Sequence, residues 1–141
     1  MHPDIFTAPW AEAWRKELNA STVYREKAAA WEGAVALHMS ADPALGVAEA
    51  RAVWLDLHHG ACRDARPATP DDLAAAKYVI GAEPAVWRDV LGGRLSPIGA
   101  ILTGKLRLLR GNLMGLLPYL AAAQELVVTA THIDRQFPDP G

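Results

Sequence analysis

A chain of 141 residues, 51% of them apolar and with Cys62 its only cysteine, has enough material for the core of one domain without disulfide or metal. Its formal net charge of −2, with basic residues scattered along the chain, lacks the positive footprint of a nucleic-acid binder. Apolar residues come in short runs, and the longest, around Leu116 to Ala123, is interrupted by Pro118, so no stable membrane insertion is expected.

Thr7 and Pro9 open a helix in which Trp10, Trp14 and Leu18 form one apolar stripe. Ser21 starts a second, carrying Val23, Tyr24, Ala28 and Trp31. The period then changes to two. Val35, Leu37 and Met39 alternate with smaller or polar residues, and after the turn ADPALG the segment Ala52 to His58 alternates Val53, Leu55 and Leu57 against Trp54, Asp56 and His58. His59-Gly60 is a tight-turn signal, and Cys62 to Arg66 reads as an exposed third strand. After Pro67 and Pro70, the run AAKYVIG (75–81) predicts a fourth strand.

Helical signals return at Pro84, followed by Val86, Trp87, Val90 and Leu91 and ended by Gly92-Gly93. Ser96-Pro97 opens a shorter helix with Ile98, Ile101 and Leu102, stopped by Gly104. Lys105 to Arg110 predicts a fifth strand, and Gly111-Asn112 leads into a last helix with Leu113, Leu116, Leu117, Leu120, Gln124, Val127 and Val128 at helical spacing. Pro118 inside that helix predicts a bend or a late start. Residues 132–141 read as a flexible tail, so the chain is one domain, 1–141, with an N-terminal helical segment, 1–31. Strands grouped between helices argue α+β, with a five-stranded, mainly antiparallel sheet covered by helices.

Residues 99–105, GAILTGK, satisfy the spacing of a phosphate-cradling loop, but the order here is helix, turn, strand, and Leu106 stands where a magnesium-binding Ser or Thr belongs. No cofactor is expected. His58-His59-x-x-Cys62 is a His/Cys cluster, yet adjacent strand residues point to opposite faces, so the two histidines converge only if the turn redirects one. Asp56 and His58 share a strand face, which suits a surface ion pair, and the lone thiol suits packing. The N-terminus MHPDIFTAPW has no positive, apolar, small-residue order, so a cytoplasmic protein is expected, with Cys62 reduced and Asn19-Ala20-Ser21 a chance match to a glycosylation acceptor.

The aliphatic residues of the C-terminal half suit the wall of an apolar pocket as well as plain core, and periodicity does not separate the two. The run YVIGAEPAVWRDVLGGRLSPIGAILTGKLRLLRGNLMGLL (78–117) resembles the second half of the sterol carrier protein type 2 domain, through GGRLSPIGA and TGKLRLLRGN in combination. The resemblance extends over about residues 20 to 128. It implies a five-stranded sheet under helices, and a hydrophobic tunnel for a fatty acid, acyl-CoA or sterol-like lipid carried without catalysis. By position, the wall would draw on Trp87, Leu91, Ile98, Ile101, Leu102, Leu113, Leu116, Leu117 and Leu120. The N-terminal helical pair is longer than the minimal domain, and the C-terminal DPG is not a peroxisomal address. Lys105, Arg107 or Arg110 would meet a carboxylate or CoA phosphate at the rim, or simply keep an edge strand soluble. Two other readings stay open: a closed-core interaction module that forms a homodimer through its Trp-rich helices, and a small hydrolase or transferase using Asp56, His58 and Cys62.

Overall fold

The computed structural model describes residues 4–133 and 135. The alternating runs become strands β1 (Glu32–Met39), β2 (Arg51–His58), β3 (Ala61–Pro67), β4 (Tyr78–Ala82) and β5 (Arg107–Arg110), ordered β3-β2-β1-β4-β5. Neighbours are antiparallel except β1 and β4, which run parallel. The architecture is therefore α+β with a mixed, mostly antiparallel sheet.

On the inner face, Val35, Leu37, Met39, Val53, Leu55, Leu57, Tyr78 and Ile80 pack under the helices in one buried cluster, as period two requires. Helices α1 (Ala8–Ala20) and α2 (Thr22–Lys27) come from the N-terminus, and α4 (Pro84–Leu91), α5 (Pro97–Leu102), α6 (Leu113–Leu116) and α7 (Leu120–Ala130) from the C-terminal half. Trp10, Trp14 and Leu18 of α1 are completely buried. Trp10 stacks on Phe6 at 5.3 Å and meets Trp14 at 5.1 Å. Trp14 Nε1 donates to the Leu126 carbonyl (3.0 Å) and to Thr129 Oγ1 (2.9 Å), tying α1 to α7. Ser21 caps α2 by accepting from the Tyr24 N–H. Thr7 stands at the N-cap of α1 without capping it: its hydroxyl donates back to the Asp4 carbonyl at 2.6 Å.

Two elements differ from the sequence expectation. Residues 70–75 form a helix, α3 (Pro70–Ala75), so the fourth strand begins only at Tyr78. Thr69 and Asp72 make a capping box, each side chain accepting from the other's backbone N–H. Leu73 of α3 packs, with Ala34 and Trp54, against a small buried cluster of Ala36, Ala76 and Val79 on the outer face. The third strand is not exposed throughout. A bulge opposite Asp56/Leu57 lets Cys62 and Ala65, three residues apart, both face the core. Asn19 holds this edge strand, its amide donating to the Cys62 carbonyl at 2.9 Å and accepting from the Cys62 N–H at 2.8 Å. The last helix is divided at the proline, as Pro118 predicts: α6 is a single turn, Leu117–Tyr119 is a 3-10 turn containing Pro118, and α7 begins at Leu120.

Candidate functional site

Helix α4 turns Trp87, Val90 and Leu91 into the core and ends at Gly92, with Gly93 at φ 79°. Trp87 donates from Nε1 to the His38 carbonyl at 2.9 Å, which fixes α4 against β1. Helix α5 is capped by Ser96 and held to α7 by Gln124, whose Oε1 accepts from the Ile98 N–H at 2.9 Å. Ile98 and Ile101 are half-buried, Ile101 against the core, whereas Leu102 at the last turn is 63% exposed. Gly104, at φ 80°, reverses the chain toward β5; the GxxxxGK spacing therefore marks helix, turn and strand, in the order expected.

Asn112 starts α6, its Oδ1 accepting from the Gly115 N–H at 2.6 Å. Only Leu116 of this turn is buried. Leu113 is 41%, Met114 75% and Leu117 41% exposed. Tyr119 in the 3-10 turn stacks on Trp31 at 6.1 Å with planes 15° apart, and Leu120 packs half-buried on the core. Two glycines admit the Tyr78 ring beneath this segment. A Cβ on Gly111, where φ is 88°, would fall 2.5 Å from Tyr78 Cδ1 and 2.8 Å from the Lys77 carbonyl, and one on Gly115 would fall 3.3 Å from Tyr78 Oη. Burial, with Tyr119 nearby, pushes the Tyr78 phenol above its ordinary range.

Of the nine wall residues carried over from the resemblance, Trp87, Leu91 and Leu116 join one buried cluster, with Ile101 and Leu120 against it. Ile98 lies half-buried on α5, and Leu102, Leu113 and Leu117 face outward. Met114 and Tyr119 belong to the same segment, and the signal for both was the apolar run LMGLLPYL (113–120) around Pro118. In this conformation the space between helices and sheet is filled by Trp10, Trp14, Trp87 and Leu91. None of the nine lines the four described surface grooves. One of those, about 360 Å³, lies on the outer face among His38, Leu73, Ala74, Val79, Leu109 and Arg110. Another, about 320 Å³, places Lys105 and Arg107 beside Glu83 and Val86. Arg110 instead donates from Nε to the Ala76 carbonyl at 2.8 Å.

Asp56, His58 and Cys62 do not converge. Asp56 pairs with Arg63 at 3.1 Å and His58 approaches Glu32 at 3.5 Å, both outside. Cys62 lies buried on the opposite face, where burial pushes its thiol up to about 12. The dimer reading loses its surface as well, because the Trp10 and Trp14 rings are buried within the fold.

A mostly antiparallel five-stranded sheet, most of its helices over one face with α3 on the other, and a broken apolar C-terminal segment define an α+β domain of the sterol-carrier type. Residues 12–121 match the SCP-2 sterol transfer family, and the chain belongs to that family. It is 45% identical to a sterol carrier protein 2 known from a crystal structure, with TM-score 0.85 over 92% of this chain and 99% of that one. A protein from Thermus thermophilus, described as possibly a sterol carrier protein, is 43% identical, with TM-score 0.83 over 98% and 94% of the two chains. Sterol carrier protein 2 from Yarrowia lipolytica, in its apo form, shares the fold at 17% identity and TM-score 0.56, over 85% and 88%. No curated protein matches the chain.

Proposed function

We propose that this protein carries a lipid without transforming it, taking the acyl chain or ring system of a fatty acid, acyl-CoA or sterol-like molecule into an apolar space between the sheet and α4 to α7. Membership of the SCP-2 family supports this reading. The observation that carries it to particular residues is the placement of apolar surface. Of six exposed large apolar side chains among the described residues, Leu102, Leu113, Met114 and Leu117 lie on α5, α6 and the 3-10 turn, whereas Leu109 lines the outer-face groove and Val23 lies apart. Exposed aliphatic surface on consecutive short elements is unfavourable in water unless something apolar meets it. The single buried turn residue Leu116 and the proline break make residues 113–119 a lid, which opens so that the lipid displaces side chains now filling the interior.

Each methylene withdrawn from water contributes about 0.8 kcal/mol, so chain length sets affinity. Lys105 and Arg107 share a groove with Glu83, and in this reading they take the carboxylate or CoA phosphate. Cytoplasmic action is part of the same proposal. The experiment is native mass spectrometry of protein purified from its expression host, then denaturing extraction and fatty-acid titration of wild type and Leu117→Trp. A lipid near one per chain, or saturable fatty-acid uptake, that Leu117→Trp abolishes is expected. Uptake unchanged in Leu117→Trp, or a wild type that neither arrives with lipid nor takes up fatty acid or acyl-CoA, overturns the assignment.

A further inference from the structure

The turn joining β2 to β3 gathers three groups that lipid carriage does not use. His59 and Gly60 both have positive φ, 48° and 87°, the signature of a two-residue hairpin turn. A left-handed histidine is disfavoured and persists only where its surroundings hold it. Here they do. The His59 N–H donates to the Trp31 carbonyl at 2.9 Å, and Gly60 is seated on α2 so closely that a Cβ would fall 2.7 Å from the Arg25 carbonyl oxygen. On a continuing strand His58 and His59 would point to opposite faces. The turn brings His59 back, and the imidazoles lie stacked with centroids 4.3 Å apart and planes 9° from parallel. Glu32 is the register partner of His58 across β1 and β2. Its Oε2 lies 3.5 Å from His58 Nδ1 and 3.0 Å from His59 Nε2.

We propose that Glu32, His58 and His59 form a binding site for a divalent transition-metal ion of the zinc type, completed by water. One candidate ligand atom from each residue lies within 4.8 Å of the other two. Bonds of about 2.0–2.2 Å from one ion to nitrogen and carboxylate oxygen require donors no more than about 4.4 Å apart, a closure that rotation of three exposed side chains supplies. Two imidazoles and a carboxylate form the donor set of open zinc sites, and imidazole favours zinc, copper or nickel over magnesium and calcium. The nearby cation Arg63 is engaged by Asp56 through two bonds of 3.1 Å, which offsets its repulsion of an incoming ion. The alternative, a carboxylate shared between the two histidines, is an exposed contact of small energy, and does not by itself call for a strained turn holding both rings beside Glu32.

The test uses the intact, metal-stripped chain with no affinity tag, titrated with Zn²⁺ by calorimetry and with Co²⁺ by visible absorption. One saturable site per chain is expected, with a Co²⁺ spectrum displaced by Zn²⁺. The site is expected to be lost in a His58→Gln/His59→Gln double variant. Glu32→Gln is expected to weaken it by about tenfold or more, since even groups that only support ligands contribute tenfold. His38→Gln and His132→Gln should leave it unchanged. Circular dichroism checks that the variants remain folded. Failure of wild type to bind one Zn²⁺ saturably, or equal binding by the folded double variant, overturns the proposal. Neither result bears on lipid uptake, which is measured separately.

Discussion

Leu116→Ala tests whether the α6 segment opens on its own. Leu116 is 1% exposed while its neighbours Leu113, Met114 and Leu117 face solvent, so this side chain and the Tyr119 ring stacked on Trp31 anchor the segment. Truncation removes three carbon groups at about 0.8 kcal/mol each, about 2.4 kcal/mol in all. That is the low end for Leu→Ala, as suits a site beside solvent that can relax. If residues 113–119 form a separate opening unit, the loss falls on local opening, and about 2.4 kcal/mol corresponds to about 60-fold faster amide exchange at Leu116, Leu117, Tyr119 and Leu120. Hydrogen exchange resolved by residue is the assay, with amides of β1 and β2 as internal reference and fatty-acid uptake followed in parallel. Exchange in β1 and β2 should stay near wild type while uptake accelerates. A uniform rise across β1, β2 and the segment, with the same loss in global urea stability, would mean that the turn unfolds only with the whole domain, and the lid idea would be refuted.

Other consequences are as direct. The buried Cys62 thiol is pushed up to about 12 from an ordinary 9.0, so its contribution is intact below pH 9 and falls as pH rises toward 12, because the unfolded chain then ionises first. The slope is about 1.4 kcal/mol per pH unit, and urea unfolding of Cys62→Ala between about pH 9 and 11 should show a shallower decline than wild type. Trp14→Phe removes the donor shared by the Leu126 carbonyl and Thr129 Oγ1, while the Thr129 hydroxyl still donates to that carbonyl at 2.7 Å, so the lost hydrogen bonding should lower stability by about 1 kcal/mol. Trp10 is buried alike, but its Nε1 has no partner among the described residues. Trp10→Phe should therefore be the milder change by urea denaturation.

Most strands were legible because alternation survives in a half-buried sheet: Val35, Leu37 and Met39, and Val53, Leu55 and Leu57, reach the core where period two puts them. Helices opening at Pro84 and Pro97 were legible from proline placement and the glycines behind them. Cys62 escapes the pattern because the bulge inserts Arg63, so inward residues stand three apart and the alternation is broken. Helix α3 is hidden by its own alanines, which run on toward Tyr78 and Ile80 as one apolar stretch, although Thr69 and Asp72 spell a capping box. The parallel pairing of β1 with β4 has no local signature, since it depends on a long connection through β2, β3 and α3. At the candidate site, spacing found the elements but not the faces. Leu113, Leu116, Leu117 and Leu120 stand at helical spacing, yet Leu116 is buried, Leu120 half-buried and Leu113 and Leu117 exposed, because the 3-10 turn at Pro118 resets the helical phase between α6 and α7.

That reset also governs how the segment meets a bilayer. The eighteen residues Leu113–Ala130 are long and apolar enough, by composition, for a membrane-crossing helix. As one straight helix they would extend about 27 Å, close to the roughly 30 Å of bilayer hydrocarbon. Divided at Pro118, the longest continuous rod is the 11-residue α7, about 16 Å, which leaves backbone groups unsatisfied partway across the lipid. Pro118 thus shortens the straight apolar rod that this segment would offer to a bilayer.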